Sequence, residues 1–120
     1  MSQAPEHPRD PIAWQGLLAL GFLALCLVRL IVPSHPFFDE VHYLPAARAL
    51  IELSQPENIE HPPLGKELIA LGITMVGDNP LGWRILSALF GTLGLFAAMR
   101  ALWFASFSRF ASLAGGWLIA

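Results

Sequence analysis

An apolar run near the N-terminus, residues 12–32, limits most strongly what this chain can fold into. Its one charged residue is Arg29, and at ~1.5 Å per helical residue the run can cross the ~30 Å hydrocarbon core of a bilayer. The run is too long for the apolar region of a signal peptide, and no small-residue cleavage site follows it. We therefore predict a retained transmembrane helix over residues 12–32, preceded by a cytoplasmic tail over residues 1–11.

The composition agrees with a membrane protein. Of the 120 residues, 55% are hydrophobic and only 13% are charged, whereas soluble domains contain about 25% charged residues. A net charge of -2 offers no basic surface for a nucleic acid. Because Cys26 is the one cysteine, an internal disulfide is excluded. The sequence therefore predicts an all-α integral membrane protein whose partners include the lipid bilayer and no nucleic acid.

A second apolar segment, residues 81–104, has an arginine toward each end, Arg84 and Arg100, and such long side chains can extend to the two membrane interfaces. A short cytoplasmic loop, residues 105–109, leads to a third apolar segment over residues 110–120. That segment is too short to cross a bilayer. The sequence thus predicts two complete transmembrane helices and the start of a truncated third.

Residues 33–80, between the two spans, predict a loop that contains two short helices at the membrane interface. Pro45 is favourable in the first turn of a helix, and i, i+4 spacing predicts that Arg48 pairs with Glu52. The apolar residues that follow at helical spacing form one face: Ala46, Ala49, Leu50 and Leu53. A second short apolar helix is predicted over residues 64–76.

Charge distribution predicts the orientation. Arg100 precedes the 105–109 loop and Arg109 ends it, and no acidic residue lies nearby, which is typical of the cytoplasmic side. Acidic residues outnumber the basic ones in residues 33–80. We therefore predict that residues 33–80 form an extracytoplasmic loop.

Adjacent carboxylates, Asp39 and Glu40, follow the first predicted span. One interpretation is a solvated acidic pair at a helix N-terminus. A second is a general base at the boundary between water and lipid, where partial loss of hydration raises the proton affinity of a carboxylate. A third possibility is a metal site, because the spacing of His35, Asp39 and His42, with Glu40, is compatible with coordination.

Four basic residues are candidates for binding an anionic head group: His61, Lys66, Arg29 and Arg84. Lys66 follows the proline pair of HPPLGK (residues 61–66) in the first turn of a helix, where free N–H groups favour a phosphate. Arg29 and Arg84 lie at the ends of the two spans on the side of the acidic pair, and charged residues at membrane depth usually face the protein interior. The alternatives are a proline-stiffened turn for His61 to Lys66 and simple interface anchors for the two arginines.

Three segments resemble the protein O-mannosyltransferases of the GT-C superfamily: FDEVHY (38–43), HPPLGK (61–66) and NPLGWR with SALFG (79–91). The resemblance covers residues 29–99 and implies the N-terminal portion of a GT-C fold in a bacterial-type inner membrane. It implies inverting transfer of mannose, or another hexose, from a polyprenyl-phosphate carrier to Ser/Thr hydroxyls of proteins. It also implies that Asp39 is the catalytic base beside Glu40, that Arg84 and Arg29 are functional, and that no metal or other cofactor is needed. On chemical grounds we add His61 and Lys66 to the donor-phosphate contacts.

Two alternatives remain at this point. One is a GT-C transferase that acts on a lipid acceptor such as lipid A, and the other is a non-catalytic membrane remnant or subunit. Because family members have many more spans, we expect the chain to need further transmembrane helices or a partner subunit. We expect little or no activity from the 120 residues alone.

Overall fold

A computed structural model describes residues 8–120, which fold into five α-helices without a β-strand. The helices are α1 (Ile12–Val28), α2 (Glu40–Ile51), α3 (Pro63–Val76), α4 (Pro80–Ser106) and α5 (Arg109–Ile119). The predicted all-α class is confirmed for this part of the chain. Residues 1–7 of the predicted N-terminal tail lie outside the described residues.

Helix α4 has the length and composition of a membrane span. Its 27 residues correspond to about 40 Å of helix, and they include all of the predicted second span. Helix α1 is apolar but has only 17 residues, fewer than the ~20 of a typical span. Within residues 8–120 the structure thus has one helix long enough to cross a membrane and a shorter apolar one, α1.

The first two helices do not lie at the positions predicted from the sequence. Helix α1 ends at Val28 rather than at residue 32, and residues 29–31 form a turn. Helix α2 begins at Glu40, so that Pro45 lies inside the helix and not in its first turn. At this position Pro45 provides no N–H group for the carbonyl of Val41.

Residues 23–90 form one compact unit, in which α2 packs on α3. The buried core contains residues from α2, from α3 and from the start of α4: Leu44, Ala47, Ala70, Ile73 and Trp83. Alanines on the buried faces allow the helix backbones to approach closely. This packing fixes the start of α2, where the acidic pair lies.

A close contact between glycines joins α3 to the start of α4. A Cβ atom added at Gly72 would lie 2.2 Å from the carbonyl oxygen of Gly82, and a backbone atom cannot move away without displacing a helix.

We expect Gly72→Ala to lower the free energy of unfolding by about 1–3 kcal/mol, measured by thermal unfolding in detergent. Gly94→Ala is the matched control, because a Cβ there meets nothing within 4 Å. Equal stability of the two variants would contradict the contact.

The second unit contains residues 8–22 and 91–120. Its apolar core includes Ala19 on α1 with Leu95 and Met99 on α4. A buried polar network accompanies it: Gln15 Nε2 donates to the Met99 carbonyl at 3.1 Å and to Ser112 Oγ at 2.6 Å. Arg100 Nη1 in turn donates to Gln15 Oε1 at 2.9 Å. Gln15 therefore links α1, α4 and α5 by hydrogen bonds.

We expect Gln15→Leu to lower the free energy of unfolding by about 1–3 kcal/mol, because buried hydrogen-bond partners would be left unpaired. The side chain of Gln15 is fully buried, at 0% exposure. Gln55→Leu is the control, since Gln55 is exposed and should change stability by less than about 0.5 kcal/mol. Thermal unfolding in one detergent compares the two variants. A loss in Gln15→Leu no larger than in the control would show that the network contributes nothing.

Candidate active site

The acidic pair lies at the N-terminus of α2, where Asp39 is the N-cap residue and Glu40 the first helical residue. The Glu40 carboxylate accepts a hydrogen bond from the backbone N–H of Phe37 at 3.0 Å. The Glu40 N–H donates to the Phe37 carbonyl at 3.1 Å. These two hydrogen bonds close the turn over residues 37–40 and fix the direction in which α2 begins.

Arg84, in the first turns of α4, binds the Glu40 carboxylate through two hydrogen bonds. Nε donates to Oε1 at 2.5 Å and Nη2 donates to Oε2 at 2.7 Å. Nη1 donates to the carbonyls of Leu30 at 2.8 Å and Pro33 at 2.9 Å, which follow the end of α1. The guanidinium group therefore joins the segment after α1, the start of α2 and the start of α4.

The Glu40–Arg84 ion pair is partly buried, with 24% and 15% of the two side chains exposed. Hydrogen bonding by the Arg84 guanidinium is the main reason that the pKa of Glu40 lies below its ordinary value of 4.5, while partial burial opposes this shift. Glu40 is consequently held ionised at neutral pH. A carboxylate occupied in this way is poorly suited to accept a substrate proton.

Asp39, unlike Glu40, is not bound by an arginine. Its side chain is exposed and makes no hydrogen bond to any residue within 8–120. It borders an open pocket of about 300 Å³. The other lining residues are Val32, Pro33, Phe37, Phe38, Glu40 and Arg84. The two neighbouring carboxylates are thus separated in role: Glu40 is bound to Arg84, and Asp39 faces the pocket with both oxygens available.

Two residues of the HPPLGK segment, His61 and Lys66, form hydrogen bonds with residues 57 and 58 of the loop before α3. Lys66 is buried, with 6% of its surface exposed, and its Nζ donates to the Asn58 carbonyl and, at 3.4 Å, to the Glu57 carbonyl. His61 Nδ1 lies 2.8 Å from Asn58 Oδ1, and its ring packs edge-to-face on Tyr43 with 5.7 Å between centroids. Among the described residues, no carboxylate forms an ion pair with Lys66.

Lys66 and His61 line a second, larger pocket of about 420 Å³. One wall of this pocket is the apolar face that the sequence predicted for α2: Ala46, Ala49, Leu50 and Leu53. A buried cation is normally balanced by a negative charge. A pocket with an unbalanced ammonium group beside an apolar wall has the chemistry to hold an anion that is attached to a hydrocarbon.

The predicted site residues are therefore divided between two pockets that share no lining residue. The smaller pocket has Asp39, Glu40 and Arg84. The larger pocket has His61 and Lys66. Arg29 is exposed in the turn after α1 and lines neither of these two pockets.

The spacing that allowed a metal site does not produce one in this structure. Among residues 8–120, no three His, Cys, Asp or Glu side chains lie close enough together to hold a metal ion. His35, Asp39 and His42 are all exposed. Their proximity in the sequence therefore does not become a shared coordination geometry.

A second ion pair, which the sequence analysis missed, joins α2 to the turn before α4. Arg48 donates to both carboxylate oxygens of Asp78 at 2.8 and 3.0 Å, and Trp83 Nε1 donates to Asp78 Oδ1 at 2.6 Å. The predicted partner of Arg48 was Glu52, but no hydrogen bond joins these two side chains in the described chain. Arg48 and Asp78 are 30 residues apart, and no local sequence pattern could have indicated their pairing.

Both ion pairs predict acid sensitivity. Hydrogen bonds from Arg84 lower the pKa of Glu40, and hydrogen bonds from Arg48 lower the pKa of Asp78. A carboxylate whose pKa is lower in the folded state contributes stability above its unfolded pKa and loses it as the pH falls through the folded pKa. We expect the midpoint temperature of thermal unfolding to decrease as the pH is lowered below 4.5, the ordinary pKa of Glu40. In Glu40→Gln this decrease should be less steep. Equal slopes for the two proteins would contradict the Glu40 contribution.

Comparison with known proteins finds relatives of one kind. The chain is 45% identical over 76 residues to the polyprenol-phosphate-mannose–protein mannosyltransferase of Corynebacterium glutamicum, covering 53% of this chain and 15% of that protein. It is 41% identical over 64 residues to the enzyme of the same name from Mycobacterium tuberculosis, covering 48% of this chain and 12% of that protein. It is 33% identical over 133 residues to protein O-mannosyltransferase 1 of Drosophila pseudoobscura pseudoobscura, covering 92% of this chain and 14% of that protein.

The chain thus spans 15% or less of the length of these relatives. No protein-family model and no solved structure matches it.

Proposed function

The chain is a homologue of the protein O-mannosyltransferases, and we propose that it takes part in mannose transfer from a polyprenyl-phosphate carrier to Ser or Thr hydroxyls of a protein. The names of the relatives support this choice of donor and of acceptor class. One observation carries the proposal. Of the two acidic residues, Glu40 is bound by Arg84, whereas the Asp39 carboxylate borders an open pocket and has no hydrogen-bonding partner among residues 8–120.

The proposed reaction is a single displacement at the anomeric carbon of the sugar. The acceptor hydroxyl gives its proton to Asp39 while its oxygen forms a bond to the anomeric carbon. The bond between that carbon and the carrier phosphate breaks, and its electron pair leaves with the phosphate. Because attack and departure take place on opposite faces, the configuration at this carbon is inverted. A phosphate is a good leaving group, so no general acid is required.

Arg84 and Glu40 have a positioning role in this proposal. Arg84 donates five hydrogen bonds, two to Glu40 and three to the carbonyls of Leu30, Pro33 and His35. A direct contact of Arg84 with a phosphate would compete with these hydrogen bonds. The pair instead fixes the turn that presents Asp39 to the pocket.

In this proposal the carrier extends from the Asp39 pocket, where its sugar lies, toward the Lys66 pocket, and its phosphate is assigned to the basic residues that do not bind Glu40. Lys66 supports this assignment because its ammonium is buried beside an apolar wall and has no carboxylate partner among residues 8–120. His61 lies in the same pocket, and Arg29 offers an exposed guanidinium at the end of α1. The apolar face of α2 then contacts the first isoprene units of the carrier.

The topology proposed with this function places α1 and α4 in an inner or plasma membrane. The segment with Asp39 and Lys66 lies on the extracytoplasmic side, and α2 and α3 lie at the membrane interface. Further transmembrane helices, or a partner subunit, complete the donor site.

A transfer assay tests the function. Membranes that contain the chain in its complete natural reading frame receive radiolabelled polyprenyl-phosphate mannose and a Ser/Thr-rich peptide. The matched control peptide has alanine at every Ser and Thr. We expect label only in the hydroxyl-bearing peptide. Label in the lipid fraction would instead indicate a lipid acceptor. Absence of label with a folded protein would overturn the proposed sugar transfer and favour a non-catalytic role.

A further inference from the structure

Phe38, beside the proposed base, has a strained backbone. Its φ angle is 52°, in the left-handed region, where a bulky side chain is unfavourable and glycine is preferred. The ring gains little packing in return, since 75% of the residue is exposed. The only ring contact found for Phe38 in residues 8–120 is with Phe37, at 6.5 Å between centroids. Neither folding nor core packing therefore explains a phenylalanine at this position.

The location of the ring suggests what it contacts. Phe38 lines the same pocket as Asp39, to which it is directly bonded in the chain. If Asp39 accepts the proton of the attacking hydroxyl, the anomeric carbon lies within a few ångströms of that hydroxyl oxygen. A side chain that shares this pocket is then close to the transferred sugar. The long hydrocarbon of the carrier would instead fit the larger apolar pocket beside Lys66.

We propose that the Phe38 ring contacts the C–H face of the transferred pyranose and stabilises the positive charge that develops at its anomeric carbon. This inference rests on the proposed mannosyl transfer. The face of an aromatic ring carries negative electrostatic potential, which attracts cationic groups. Glycosyl transfer passes through a state with oxocarbenium character. The contact strengthens as the charge develops, so it increases kcat more than it tightens ground-state binding.

Phe38→Gly is a sharp test, because it removes the ring and relieves the backbone strain together. A ring with a structural role would make this variant less stable, and a ring with no role would leave it as stable and as active as the wild type. We expect an unchanged or higher thermal midpoint and a kcat lower by roughly tenfold. Phe38→Tyr should retain most of the activity, since it keeps an aromatic face. Phe38→Leu should not, since it keeps only the apolar bulk.

Phe107→Gly is the matched control. Phe107 is also a phenylalanine with positive φ, 48°, and it is 58% exposed. It lies between α4 and α5, outside the Asp39 pocket. We expect transfer at the wild-type rate from Phe107→Gly. Wild-type kcat in Phe38→Gly, or equal losses in the two glycine variants, would overturn the inference. Full activity in Phe38→Leu would overturn the charge stabilisation.

A binding measurement separates this inference from the proposed function. Affinities of the wild type and Phe38→Gly are measured for polyprenyl-phosphate mannose and for polyprenyl phosphate without sugar. We expect Phe38→Gly to weaken binding of the mannosylated carrier two- to threefold or more, and to leave the bare carrier unchanged. Equal effects on both carriers would contradict the sugar contact even if wild-type transfer is normal. A selective effect without any mannose transfer would retain the contact and reject the proposed acceptor reaction.

Discussion

Asp39→Asn is expected to lower the rate of mannose transfer by about 10²- to 10⁴-fold, the range contributed by a general base. The amide is similar in shape to the carboxylate but cannot accept the hydroxyl proton. Because the side chain of Asp39 makes no hydrogen bond within residues 8–120, the fold should not depend on its charge. We therefore expect the thermal midpoint and the affinity for the polyprenyl-phosphate donor to stay near wild-type values.

The matched comparison for Asp39→Asn is Glu40→Gln, the same change at the neighbouring residue. This variant weakens the ion pair with Arg84 and should lower the thermal midpoint as well as transfer. The two variants thus separate a loss of chemistry from a loss of structure. Near-normal turnover in Asp39→Asn, or an equal loss of stability in both variants, would remove Asp39 from its assigned role.

Arg84→Met is expected to cause the largest structural loss. The change removes both hydrogen bonds to Glu40 and those to the carbonyls of Leu30 and Pro33. Each hydrogen bond to a charged group contributes about 1.5–3 kcal/mol. We expect the free energy of unfolding to fall by at least this amount and transfer to fall below a tenth of wild type. Thermal unfolding and the transfer assay measure the two effects.

A more exposed ion pair provides the control for Arg84→Met. The side chains of Arg48 and Asp78 are 40% and 44% exposed, so Arg48→Met should cost no more than about 1 kcal/mol. The double variant Glu40→Gln/Arg84→Met should lose less than the sum of the single losses, since the pair is already broken in each. Additive losses, or an Arg48→Met effect as large as that of Arg84→Met, would show that the Glu40–Arg84 pair does not organise the site.

Local patterns in the sequence predicted much of the fold. The apolar segment over residues 81–104 lies within α4 (Pro80–Ser106), because length and hydropathy alone identify a helix of this kind. The predicted apolar face of α2 lines the larger pocket, because helical periodicity determines which residues share a face. Helix α1 ends at Val28 before the predicted residue 32, and α2 begins before the turn in which Pro45 was expected, because helix termini depend on local turns rather than on periodicity.

The contacts of the candidate site could not be predicted in the same way. Glu40 and Arg84 are 44 residues apart, and they meet because the start of α2 comes next to the start of α4. Lys66 was predicted to be a phosphate contact, and no local pattern indicated that its Nζ donates to the carbonyls of Glu57 and Asn58. Pairings of this kind depend on tertiary packing. A sequence pattern can suggest which residues are functional, but not which of two adjacent carboxylates remains available.

Chemical rescue of Asp39→Ala by formate is the most direct measurement of whether Asp39 accepts the proton. Alanine removes the carboxylate next to an open pocket of about 300 Å³, which leaves room for a small carboxylate from solution. Mannose transfer is measured with sodium formate and with equal concentrations of sodium chloride. We predict that formate, and not chloride, raises the Asp39→Ala rate in a saturable manner and leaves the wild-type rate unchanged. An Asp39→Ala variant that transfers mannose at the wild-type rate, or that formate does not restore while its donor binding is intact, would contradict a base at Asp39.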